Sequence, residues 1–304
     1  MPGLAGPDSR SWIAGLEESE PMRTDSIRAL SSTGFHRLQY HEWGSVENDR
    51  VVVCVHGLAR NSRDFDELAL ALARDYRVVC PDIAGRGGSD WLSPSSGYQI
   101  PQYMNDMVVL LARLNVDQVD WIGTSMGGLI GICLAALPNS PIRSLILNDI
   151  GPFVSSAALK RIADYLGDRR FESLEACEAW LRQTYPALGH LGDHQWRRLA
   201  QTSSRVLPDG TLAPHYDPAI AENLRLNSED DVDLWAQWQQ ISCPQMLIWG
   251  QDSDVLLAET VRRMSTDNPA LDLVSLPGIA HAPSLMDAEQ IDAVVRWLRA
   301  HRHL

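Results

Sequence analysis

The chain has 304 residues and a formal net charge of -13, with 45% hydrophobic and 21% charged residues. That composition suits a globular protein with a sizeable core, and the acidic balance without a Lys/Arg stripe excludes nucleic acid as a partner. Five cysteines, odd in number and without a CxxC, point to a reducing compartment. No apolar run reaches the ~18 residues of a membrane span and no basic-then-apolar leader opens the chain, so a cytoplasmic location is expected.

Residues 1–34 carry Pro2, Gly3, Gly6, Pro7 and Pro21 and read as an irregular arm with one short helix at 12–18. Alternation over 35–43 predicts a first strand, and the run VVVCV at 51–55 predicts one covered on both faces. A helix at 65–72, a strand at 76–80, a helix at 100–114 and a strand at 119–122 follow, then a helix at 129–137 and a strand at 144–149. Such alternation predicts a mostly parallel sheet with helices on both faces, its functional loops gathered at one edge.

From 151 to 240 the pattern changes. No strand is expected there, and helices at 157–165, 174–185, 194–204 and 232–240 read as an inserted helical lid. Trp180, Trp196, Trp235 and Trp238 are candidates for lining an apolar pocket, although most of them are expected to be packing residues. Strands at 246–250 and 271–276 resume the sheet, with helices at 257–264 and 288–300. The expected organisation is an arm (1–34), a core (35–150 and 241–304) and the lid (151–240).

The chemistry concentrates at VDWIGTSMGG, residues 119–128. Gly123 and Gly127 flank Ser125 at the G-x-S-x-G spacing of a nucleophile elbow, where a side chain at either glycine would collide with a neighbouring element. A serine hydroxyl needs a base, and the base an orienting acid. Of nine histidines, His281 lies in a loop between the last strand and the last helix and is the best base. The acid should follow a strand end, which admits Asp254, Asp149 and Asp252, with Asp254 favoured. The backbone N–H groups of Met126 and Leu58 are the candidate oxyanion donors. His56 would then fix the Leu58 loop through its ring nitrogens, and Arg60 and Asn61 lie close enough to contact substrate. Histidines and acids show no metal-ligand spacing, and Gly85–Gly88 lacks both phosphate-loop and dinucleotide patterns, so neither metal nor cofactor is expected.

With these residues assembled, 35–298 resembles the α/β-hydrolase superfamily. His56-Gly57-Leu58 is similar to its HG-x loop, PDIAGRGGSD at 81–90 to its PD-x-x-G-x-G-x-S stretch, and Gly278-x-x-His281 to its late G-x-x-H. Asn148-Asp149-Ile150-Gly151-Pro152 looks like the strand end that leads into the lid of many members. The resemblance implies an eight-stranded, mostly parallel sheet with an inserted lid, and Ser125, Asp254 and His281 as its catalytic residues. The chain departs from the family in three places. Ser253 stands where many members carry the acid, although Ser-Asp-Val-Leu at 253–256 is similar to a subgroup whose acid is that aspartate. Ala280 replaces the glycine of a GHAP motif, and Gly57 stands alone where some esterases have three glycines.

A serine at the elbow argues against the family's dehalogenases and epoxide hydrolases, which use aspartate. The resemblance implies a hydrolase of small to medium acyl or aryl carboxylic esters. A carbon–carbon bond hydrolase or enol-lactonase of aromatic degradation is the alternative. A binding protein on a hydrolase scaffold is the reading from another class. The partner implied is a small-molecule ester, and a homodimer stays open.

Overall fold

The computed structural model describes residues 22–301, so the expected helix at 12–18 lies outside the described residues. The described residues open with an antiparallel pair, β1 (Arg23–Ser31) and β2 (Gly34–Trp43), with Ile27 opposite Leu38. β1 falls within the expected arm. It escapes a sequence reading because Ile27 and Ala29 are the only residues it buries.

Next come β3 (Val51–Val55), α1 (Asp66–Leu72), β4 (Arg77–Pro81), α2 (Ile100–Leu114), β5 (Val119–Thr124), α3 (Met126–Ala135) and β6 (Ile142–Asn148). Local chemistry sets their limits. Pro101 occupies the first turn of α2, and Asn115 ends that helix in the left-handed region at φ 55°. Every residue of β3 is buried, as a strand covered on both faces requires.

The inserted region opens with β7 (Phe153–Val154) and continues through α4 (Ser156–Tyr165), α5 (Leu174–Thr184) and α6 (Asp193–Ser203). A hairpin, β8 (Ser204–Val206) and β9 (Leu212–Pro214), leads to α7 (Ala219–Asn227), β10 (Val232–Asp233) and α8 (Trp235–Trp238). β10 pairs antiparallel with β7 and so clasps the two ends of the insertion together. The expectation of no strand here is corrected: strands of two or three residues are too short to show a periodicity. The helix expected at 232–240 shrinks to α8, and α7 was not anticipated. Ser155 and Ser173 cap α4 and α5 by accepting from Ala158 and Ala176 N–H.

The chain closes with β11 (Gln245–Gly250), α9 (Ala258–Asp267), β12 (Asp272–Leu276) and α10 (Ala288–Ala300). The sheet has eight strands in the order β1-β2-β4-β3-β5-β6-β11-β12, parallel from β4 onward. Strand order reverses at β3, and at such a switch point the carboxyl ends of the strands open a crevice. Each face of the sheet has its own core. Trp121, Leu145 and Leu247 pack beneath α2 and α3, whereas Ile122, Ile146 and Ile248 pack beneath α1 and α10. Side chains that alternate between two buried faces explain why these strands read as unbroken apolar runs. The inserted region holds a third core around Phe171, Leu181, Trp196 and Leu199.

Candidate active site

Six parallel strands end at one edge of the sheet. β5 stops at Thr124, and Ser125 turns the chain into α3 with φ 51° and ψ -116°. A non-glycine residue held there is strained, and such strain persists only where the surroundings over-determine it. They do: a Cβ on Gly127 would run into the Val55 carbonyl, and one on Gly123 into the backbone of Gly127. The flanking glycines let α3 sit directly against β3 and β5, and the serine is forced outward.

His281 reaches this serine from the loop after β12. Its Nε2 lies 3.0 Å from Ser125 Oγ, and its Nδ1 lies 2.8 Å from Asp149 Oδ2. The carboxylate accepts from Nδ1–H, which leaves Nε2 as the acceptor for the serine proton. Asp149 follows β6, is fully buried and has φ 54°. Its second oxygen accepts from Gly250 N–H at 2.8 Å, so the strand β11 holds the acid from the side.

The partner of His281 is therefore Asp149, and the expectation of Asp254 is corrected. Asp254 stands at the rim, about half exposed, and pairs with Arg161 of α4. Asp252 is exposed too. Ser253, at the position where an acid was sought, uses its hydroxyl to accept from Val255 and Leu256 N–H and so holds the turn after β11. Asn148 ends β6 beside Ile248 of β11, so the candidate acids all follow neighbouring strand ends. Backbone direction decides which one turns inward.

The loop after β3 supplies the other wall. A Cβ on Gly57 would sit 3.6 Å from Ser125 Cβ, so the Gly57-Leu58 turn packs on the serine. His56 is fully buried; Ile83 N–H donates to its Nε2 at 3.0 Å, and Nδ1–H therefore donates to Gly57 O at 2.7 Å. Burial lowers its pKa to about 4, so the ring is neutral near pH 7. A donor on Gly57 O polarises the Gly57–Leu58 peptide and makes the Leu58 N–H a stronger donor. Met126 begins α3, where a helix N-terminus favours negative charge. Arg86, fully buried, spans both walls: it donates to Leu58 O and Ala84 O and rests near Met126 Sδ.

Three supports went unnamed at the sequence level. Asn148 donates to Thr124 Oγ1 and to Pro283 O, tying the serine strand to the histidine loop. The inserted region holds that loop too, because Ala280 N–H donates to Ala187 O and Ser284 N–H to Leu188 O. Gly250 N–H on Asp149 is the third. Asn148 left a sequence signal, a polar side chain at the end of an otherwise apolar strand; the two backbone contacts left none.

Residues 50–286 match the alpha/beta hydrolase fold family. The chain belongs to the α/β-hydrolase family. Among its relatives, the 3-hydroxybutyrate-oligomer hydrolase of Cupriavidus necator is 45% identical over 278 residues, covering 88% of this chain and 95% of that one. An α/β-hydrolase structure from Novosphingobium aromaticivorans has a TM-score of 0.81 at 36% identity and covers 91% of this chain and 98% of its own. A Rickettsia typhi structure reaches a TM-score of 0.86 at 32% identity, with 92% and 99% covered.

In this α/β-hydrolase, Ser125 and His281 open onto a cavity lined by Leu58 and Arg60 and, from the inserted region, by Tyr165 and Tyr185. Arg60 donates through Nε and Nη2 to both oxygens of Asp64, at 2.8 and 2.6 Å. Burial opposes its charge, but Asp64 outweighs that and raises the Arg60 pKa. Asn61 does not line the cavity; it accepts from Arg63 N–H and donates to Thr202 O, fixing the loop to α6. The tryptophans divide between the two readings. Trp196 packs in the lid core and Trp235 and Trp238 in the main core. Trp180 lines a smaller cavity beside the first that shares Ala59, Arg60 and Tyr185 with it, whereas Trp238 borders a separate cleft with Gln245 and Asn268, none of whose lining residues belongs to the Ser125 cavity. Among the described residues, no cluster of metal-ligating side chains occurs and no helix is long and apolar enough to cross a membrane.

Proposed function

We propose that this hydrolase cleaves carboxylic esters through an acyl-enzyme, with Ser125 as nucleophile, His281 as general base and acid, and Asp149 as the orienting acid. The observation that carries the reading is the unbroken hydrogen-bond chain from Ser125 Oγ through His281 to Asp149 Oδ2 at 3.0 and 2.8 Å. Ser125 Oγ attacks the ester carbonyl carbon while its proton passes to His281 Nε2. Leu58 and Met126 N–H stabilise the oxyanion, a contribution of about 10²–10³ per donor in rate. Collapse breaks the bond to the alcohol oxygen, which leaves with the proton from His281. Water, deprotonated by the same imidazole, then attacks the acyl group, and the acid departs as Ser125 regains its proton.

The substrate class we assign is short esters of hydroxy acids. Support comes from the similarity to a 3-hydroxybutyrate-oligomer hydrolase over 88% of the chain and from a lid-covered cavity with tyrosine walls. The test is a burst of p-nitrophenol from p-nitrophenyl acetate, followed by turnover of 3-hydroxybutyrate dimers and trimers. Ser125→Ala should lower kcat about 10⁶-fold on both. A wild-type protein that gives no burst and is not labelled at Ser125 by an organophosphonate would contradict the proposal.

A further inference from the structure

We infer that Arg60 reads a free carboxylate on the substrate, so that the site prefers short hydroxy-acid esters that end in an unesterified acid. The inference rests on the ester-hydrolase reading of the same cavity and sharpens its substrate class.

Arg60 is the one arginine or lysine among the described residues that line the cavity. Its stem and the serine pack on the same spot, since a Cβ on Gly57 would lie 3.8 Å from Arg60 Cγ and 3.6 Å from Ser125 Cβ. Asp64 engages Nε and Nη2 and leaves the Nη1 donors to a ligand. The guanidinium also stands over the Tyr185 ring, 5.9 Å from its centroid. Arg60 and Tyr185 border both the main cavity and the smaller one behind it, so a substrate running from one to the other passes the guanidinium.

Charge chemistry selects the ligand. Both members of the Arg60–Asp64 pair are largely buried, with side-chain exposures of 16% and 20%. A buried pair recovers its desolvation cost only when its remaining donors are also satisfied. A carboxylate on Nη1 does so with a charge-assisted bond, about twice as strong as one from a neutral ester carbonyl. Partial enclosure keeps water from screening it. Hydrolysing a chain of hydroxy acids yields such an acid end at every step, whereas a fully esterified substrate offers none.

The test is calorimetric titration of Ser125→Ala protein, which cannot turn over, with the linear 3-hydroxybutyrate dimer as free acid and as methyl ester near pH 7. The acid should bind about tenfold more tightly. Asp64→Asn in this background should widen the gap by releasing more of the guanidinium. Arg60→Gln with Asp64→Asn removes both charges together, so no lone carboxylate is left to repel the ligand, and the gap should close to within about twofold. Thermal melting checks that each variant is folded. Equal affinity for acid and methyl ester, no binding of either, or a gap that survives the charge-free exchange would overturn the inference. p-Nitrophenyl acetate turnover by the Ser125-intact protein is measured alongside. Its absence would fall on the hydrolase reading, while the acid preference in binding would still decide the role of Arg60.

Discussion

The floor of the crevice and its rim carry the same residue types under opposite physical conditions. On the floor, Asp149 and His56 are fully buried, and each of their polar side-chain atoms has a partner. On the rim, Asp254 is about half exposed and meets a half-exposed arginine, and Asp252 is exposed. A carboxylate in water exchanges partners freely and holds nothing in place. A buried one with two fixed donors has a single orientation, and it imposes that orientation on the imidazole. Position after a strand does not separate these cases; burial does.

The largest expected effect tests that difference directly. Asp149→Asn keeps the size of the side chain but supplies an amide where His281 Nδ1–H needs an acceptor, favouring the wrong tautomer or a turned ring. We expect kcat on p-nitrophenyl acetate to fall by roughly 10³–10⁴. Circular dichroism and the melting temperature should show the protein still folded. A loss smaller than tenfold would break the contrast between floor and rim.

The second effect concerns stability and sharpens the contrast through pH. Burial pulls the His56 pKa from 6.5 to about 4, against the opposing influences of Gly57 and Asp82. The folded ring thus resists a proton that the unfolded ring accepts. Its contribution is intact above pH 6.5, declines as the pH falls below that value, and is gone by about pH 4. The size is roughly 3 kcal/mol. His56→Gln cannot titrate, so the stability gap between wild type and variant should narrow by about that amount between pH 7 and pH 4, read from urea unfolding at each pH. A gap that is constant with pH would mean that the ring is charged or solvated in the folded state.

The same contrast explains what could be read in the chain before its structure. Ser125 is legible because its flanking glycines answer to local sterics, with Val55 and the Gly127 backbone pressing on them. The parallel strands are legible because two-sided burial leaves continuous apolar runs. His281 is legible from its place between the last strand and the last helix. The acid is not, because β6 and β11 are neighbours and their ends reach one crevice; the φ of 54° at Asp149 and the N–H of Gly250 choose between them. β1 is hidden because RTDSIRALS buries only Ile27 and Ala29. In the lid, the tryptophans were ambiguous for a further reason: an aromatic side chain in an amphipathic helix packs inward or lines a cavity with the same periodicity, and Trp196 and Trp180 do one each.

The smallest expected effect is at Asp254, and its smallness is the point. Asp254 and Arg161 join the turn after β11 to α4 of the lid, with side-chain exposures of 52% and 44%. An exposed pair of this kind contributes about 0–1 kcal/mol, because water screens both charges and two long side chains lose freedom in meeting. Asp254→Asn should change kcat/KM on p-nitrophenyl acetate by less than about twofold, and the residual effect should vanish at 1 M salt, where screening removes what remains of the attraction. If activity instead fell a hundredfold with His281 still bound to Asp149, the rim would be part of the machinery. The lid would then act on chemistry through this one ion pair, since Arg161 and Tyr165 share α4 and Tyr165 lines the cavity over Ser125. Measuring Asp254→Asn on a long and a short acyl ester separates the two cases: a screened surface pair affects both alike, whereas a lid contact that shapes the cavity penalises the longer chain first.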